Sequence, residues 1–90
     1  MSEHSHYTPP LADMAFVLEH WLNAPADWQR MPAFAALDAD TARMVCEAAG
    51  DFCAGQLAPL NSSGDLQGCT LQAGQVRTPD GFAAAYQAYV

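Results

Sequence analysis

Leu11, Met14, Leu18 and Trp21 recur at spacings of three, four and three, which marks one face of a helix. Val17 and Leu22 widen that stripe. Pro9 and Pro10 prepare the helix start, and Asp13 sits in the first turn, where the dipole favours an anion. Asn23-Ala24-Pro25 is expected to end the helix, because proline cannot continue it. Trp28, Met31, Phe34 and Leu37 then repeat every three residues, predicting a short helix with a break near Pro32. Asp38-Ala39-Asp40 supplies a capping oxygen and early negative charge for the next helix. That helix is expected to be the longest. Val45, Ala49, Phe52 and Gln56 form one row, broadened by Met44, Ala48 and Leu57. Alanines 42, 48, 49 and 54, with Gly50 and Gly55, leave room for a second helix to approach. Pro59 is expected to stop it near Leu57 or Ala58.

A glycine-rich run follows, holding Gly64, Gly68, Gly74 and Gly81, four of the chain's six glycines. Asn61 to Gly68 carries turn residues. Leu71 and Val76 flank Ala73-Gly74, a pattern that fits a small hairpin. Thr78-Pro79-Asp80 predicts a helix start, with Thr78 as cap and Pro79 as the first helical residue. Phe82, Tyr86 and Tyr89 then fall at i, i+4 and i+7. No glycine, asparagine or basic residue closes this last helix before Val90, so its last carbonyls have no partner written in the sequence, as in a frayed natural end or a helix cut short. The pattern as a whole predicts an all-α fold of three or four helices, with a glycine-rich connector that has room for a small β-hairpin. Residues 1–90 form one helical segment in this view, with 1–8 flexible and 61–78 as the connector.

At 90 residues the chain makes one small domain with a modest core. It is 51% hydrophobic but only 14% charged. Low charge beside high apolar content points to surface meant for burial against something else. Ten acids oppose three arginines (Arg30, Arg43 and Arg77), there is no lysine, and the net charge is −7. Such a balance repels phosphate backbones and anionic lipid headgroups, which argues against nucleic-acid and membrane partners. The missing lysine also removes the Walker A loop and Schiff-base chemistry. The first ten residues lack a basic region and an apolar stretch, so no signal peptide is read and a cytoplasmic location is expected. Cys46, Cys53 and Cys69, three in number and without paired spacing, are expected to be reduced thiols.

Each candidate site fails on spacing. A phosphate loop needs closely set glycines between strand and helix, with a following lysine. An EF-hand starting at Asn61 would place Ser63 at its third position and Gln72 at its twelfth, where a bidentate glutamate belongs. Zinc-ligand types exist at His4, His6, His20, Cys46, Cys53 and Cys69, but no short-range pair joins them. Cys46 and Cys53 are two helical turns apart, about 10 Å, too far to share one ion on a straight helix. His4 and His6 are expected to be solvated tail residues. No GxSxG is present, and Cys46 and Cys53 fall mid-helix without an adjacent basic residue to activate them as nucleophiles. No catalytic, cofactor-binding or metal residue is assigned. Trp21, Trp28, Phe52, Phe82 and Tyr86 are expected in the core, with an interface as the alternative.

Two blocks carry a resemblance: YTPPLADMAFVLEHWL at Tyr7 to Leu22, and LAPLNSSGDLQGCTLQAGQVRTPDGFAAAYQAYV at Leu57 to Val90. In order and spacing they are similar to the opening of an acyl-CoA dehydrogenase of the longer variant, which begins with an N-terminal extension. Residues 23–56 match in pattern only. The resemblance implies a flavoprotein that oxidises an acyl-CoA thioester to the 2,3-enoyl-CoA. FAD would lie between a β-domain and a C-terminal helical domain, and a glutamate would remove the α-proton while hydride passes to the flavin. None of these parts falls within the 90 residues. Glu19 and Glu47 lie in the opening helical segment and are not candidates for that glutamate. The expectation is therefore a helical N-terminal part, not catalytic by itself, whose partner is the remainder of the dehydrogenase or another protein surface, with oligomerisation left open. Asp65 and Arg77 are expected to fix loops. The alternative is a stand-alone acidic helical interaction module. A third class, a small enzyme, would need a deep pocket with perturbed groups.

Overall fold

The computed structural model describes residues 7–90, so His4, His6 and most of the 1–8 segment lie outside the described residues. The described chain is mainly α-helical, with one two-stranded antiparallel ribbon. It divides into two compact units, Pro9–Asp51 and Phe52–Val90, the latter with Tyr7 and Thr8.

The first unit opens with α1 (Leu11–Phe16), which continues as a π-helical turn over Val17–Trp21. The turn is closed by the Leu22 amide donating to the Val17 carbonyl at 2.9 Å. Asn23 stops the helix by adopting a left-handed conformation, φ 50°, which asparagine tolerates better than most side chains. Pro25 has a second role beyond that expected: it sits in the first turn of α2 (Ala24–Gln29), where its missing N–H costs nothing. The threefold repeat that follows becomes a break at Arg30-Met31 and a 3-10 turn at Pro32–Phe34. Helix α3 (Ala39–Phe52) begins where the acidic signal predicts. The Asp38 carboxylate accepts a hydrogen bond from the Thr41 amide at 2.8 Å. The packed stripe of α3 differs from the expected one. Met44 and Val45 are 66% and 61% exposed, whereas Ala39, Ala42, Cys46 and Gly50 turn inward at spacings of three, four and four. Gly50 is buried because a Cβ there would lie 3.0 Å from Pro9 Cγ. Small residues set this contact, and bulk would prevent it.

The second unit corrects two expected boundaries. Pro59 does not end the helix. The chain passes through a π-helical turn at Cys53–Leu57 and continues as α4 (Ala58–Gln67), with Pro59 in the first turn of α4. A proline inside a regular helix loses one hydrogen bond and clashes with the carbonyl four residues back. The wider π turn, closed by the Ala58 amide on the Cys53 carbonyl, places that disruption at a helix start instead. Asn61 to Gln67 is consequently helical, and the connector begins at Gly68. The hairpin forms as expected from β1 (Thr70–Gln72) and β2 (Gln75–Arg77), with Leu71 opposite Val76. Ala73 and Gly74 both have positive φ, 52° and 78°, the requirement of a tight turn whose twist matches the strands. Helix α5 (Phe82–Tyr89) starts later than Thr78-Pro79 predicts. Gly81 at φ 91° cannot belong to a right-handed helix, so Pro79 to Gly81 forms a turn before it.

The expected aromatic core is absent. Trp21, Phe82 and Tyr86 are 74%, 40% and 62% exposed, and Trp28 and Phe52 are half-buried. Among the described residues the buried positions are Gly50, Gly64, Pro79 and Ala85. Each unit packs through small residues and leaves most of its large apolar side chains open.

Candidate functional site

Within Pro9–Asp51, a groove of about 230 Å³ is walled by α1, α2 and α3. Its apolar floor comes from Leu11, Leu18, Pro25, Trp28 and Cys46. Ala12, Ala15, Ala39 and Ala42 line it too, and their short side chains are the reason it stays open. Glu19, Arg43 and Glu47 supply its polar wall.

Arg43 grips Glu19 through two hydrogen bonds, Nε to Oε2 at 2.8 Å and a second terminal nitrogen to Oε1 at 2.5 Å. This fork joins α3 to the π turn of the first helix across 24 residues of sequence. The Glu19 side chain is 15% exposed and that of Arg43 is 51% exposed, so the carboxylate end is the covered one. The Arg43 hydrogen bonds hold the Glu19 carboxyl below its ordinary range, against a smaller opposing effect of burial. The same contact raises Arg43 further. Arg43 also reaches Asp40 at 3.5 Å. Asp38 is lowered by hydrogen bonding from Thr41, its backbone amide first. Arg30 pairs with Asp27 on α2, away from the groove lining.

Within the second unit the open apolar side chains include Leu66, Leu71, Val76, Phe82, Tyr86 and Tyr89. The Phe52 and Tyr89 rings meet at 5.8 Å, and a Cβ on Gly64 would lie 2.7 Å from the Phe82 ring tip.

Among the described residues, the metal-ligand types considered from the sequence do not converge. No group of three or more His, Cys, Asp or Glu side chains gathers among the described residues. His20 lies against the Phe16 ring at 5.6 Å. Cys46 is a groove wall residue, Cys53 is half-buried in the second unit, and Cys69 is exposed. Asn61, Ser63 and Gly64 lie in α4 and Gln72 in β1, so they do not form one loop. Asp65 and Arg77 are exposed and make no side-chain hydrogen bond or ion pair among the described residues, so they do not fix the loops. Gln67 does that instead: its Oε1 accepts from the Asp80 amide at 2.9 Å and ties the end of α4 to the turn before α5. A polar residue at the end of an unexpected helix gave no signal for this. The groove itself had a signal, the alanine and cysteine spacing on α3, which the larger side chains of the neighbouring row obscured. Among the described residues, no helix is long and apolar enough to cross a membrane.

No protein-family profile matches the chain. One curated protein does, the 3-methylmercaptopropionyl-CoA dehydrogenase of Ruegeria pomeroyi, at 33% identity over 84 residues. The chain resembles part of an acyl-CoA dehydrogenase. The aligned stretch is 93% of this chain and 14% of that relative, so the chain spans about one seventh of the relative's length.

Proposed function

We propose that these residues are the N-terminal helical part of an FAD-dependent acyl-CoA dehydrogenase, without catalytic capacity of their own. The observation that carries this is the match itself, which runs through nearly the whole chain rather than one motif. The exposed Trp21, Phe82, Tyr86 and Tyr89 support it, since aromatic side chains left in water at this density are characteristic of a surface completed by another body. On this reading the flavin, the proton-abstracting glutamate and the acyl-CoA site belong to the remainder of the enzyme. The location is cytoplasmic, and the acyl-CoA is oxidised to the 2,3-enoyl-CoA.

Complementation tests it. The 90-residue chain alone is expected to show no flavin absorbance and no acyl-CoA oxidation. Co-expressed with a relative of the 3-methylmercaptopropionyl-CoA type lacking its own first segment, it is expected to co-purify with that protein and restore oxidation. Failure to associate, with the chain melting cooperatively as a monomer, would favour the second reading, an acidic helical interaction module. A yellow, active preparation of the chain alone would refute both.

A further inference from the structure

We infer that the groove of the first unit receives an amphipathic helix that carries lysine or arginine beside its apolar stripe. This goes beyond the dehydrogenase reading, because it concerns what chemistry enters the groove, and it holds whichever protein supplies the helix.

Three observations lead there. First, the walls are themselves helices lined by Ala12, Ala15, Ala39 and Ala42, so large side chains of an incoming helix can enter between them. Second, the space of about 230 Å³ is apolar and so gives water few partners. Third, the wall charges are unequal. Arg43 is committed to Glu19 by two hydrogen bonds and also faces Asp40. Glu47, one turn along α3, also lines the groove; it makes no hydrogen bond or close ion pair among the described residues and feels only the weaker, longer-range pull of Arg43, which Glu19 and Asp40 share. The charge left over at the rim is therefore negative. The surrounding segment is acidic as well: Pro9–Asp51 carries seven acids (Asp13, Glu19, Asp27, Asp38, Asp40, Glu47, Asp51) against Arg30 and Arg43. A cation beside the entering apolar side chains would meet Glu47, whereas an acidic helix would meet repulsion.

Trp28 lines the groove and reports on its filling. The test titrates the 90-residue chain, in a Trp21→Phe background, with three synthetic amphipathic helices. They share a leucine stripe and carry lysine, glutamine or glutamate beside it. The lysine helix is expected to shift Trp28 fluorescence and to bind more tightly than the glutamine helix, with no detectable binding of the glutamate helix. Glu47→Gln is expected to weaken the lysine helix by about two- to fivefold, the range of an exposed ion pair. Asp65→Asn removes the same charge from the second unit and should leave the affinity unchanged. Ala42→Leu should fill the groove without adding a second indole and lower affinity by at least about tenfold. Equal weakening by Glu47→Gln and Asp65→Asn would mean diffuse attraction to an acidic protein and would overturn the proposal. So would equal binding of the lysine and glutamine helices, or an unresponsive Trp28.

Discussion

The two units are both mainly helical but are held together by different means. Pro9–Asp51 has one glycine approach of its own, Gly50 against Pro9, but adds polar devices: the local Asp38 cap on Thr41 and the Arg43–Glu19 fork, which spans 24 residues. Phe52–Val90 is fixed by close approaches at glycines, Phe82 over Gly64 and Leu60 against Gly81, with a polar tie between elements from Gln67 to the Asp80 amide. A polar device fails when a proton arrives or a partner is removed. A close approach fails when a methyl group is added. The units should therefore respond to different perturbations, and that difference can be tested.

The largest effect is expected at Gly81. Its φ of 91° is closed to residues with a Cβ, and a Cβ there would also lie 2.7 Å from Leu60 Cδ2. The end of the leucine can move, so backbone strain dominates. Gly81→Ala should destabilise α5 by about 1–3 kcal/mol. Amide exchange reads this directly: protection should fall in Phe82–Tyr89 and stay unchanged in α2 and α3. Equal protection in the variant would show that α5 does not depend on the Gly81 turn.

Acid should act on the other unit. Glu19 and Asp38 both have their carboxyls lowered in the folded state, by Arg43 and Thr41 respectively. A depressed folded pKa gives stability that is complete above the ordinary value and lost as pH falls through the folded one. The relevant window therefore lies below pH 4.5 for Glu19 and below 3.8 for Asp38. Amide protection in α3 and the Val17–Trp21 turn should fall there, by more than it falls in α4. Glu19→Gln should remove the upper part of that acid response and weaken the same segment at neutral pH. An α3 insensitive to acid would break the comparison.

The same contrast explains how much of the molecule was legible in the sequence. Helix starts written in side-chain oxygens were readable, as at Asp38, and so was the hairpin turn at Ala73-Gly74. Pro59 and the Asn61–Gly68 turn residues misled, because local propensity there favours a break, whereas the π turn lets the helix run on. Thr78-Pro79 misled for a related reason: a suitable cap lies upstream of a glycine whose conformation interrupts the helix. The groove was partly visible as small residues on α3. Its ion pair was not, since nothing in one sequence joins Glu19 to Arg43. The aromatic spacing did mark apolar faces, but periodicity alone does not say whether a face is covered by the same chain.

The smallest effect sharpens the comparison at the hairpin. All six strand residues, Thr70–Gln72 and Gln75–Arg77, are exposed, so side-chain burial contributes little to its stability. The turn must then carry most of the preference, yet Ala73 occupies a left-handed φ of 52° that alanine disfavours. Asparagine accepts that conformation through local hydrogen bonding, and Asn-Gly is the preferred pair for a two-residue hairpin turn. Ala73→Asn should raise hairpin stability by roughly 0.5 kcal/mol, about a twofold change in its open population. Exchange at the cross-strand amides of Thr70–Gln72 and Gln75–Arg77 should slow by that factor, with α5 unaffected. If exchange slowed in α5 as well, the ribbon and the helix would open together. The second unit would then be one cooperative body rather than a set of local contacts around glycines.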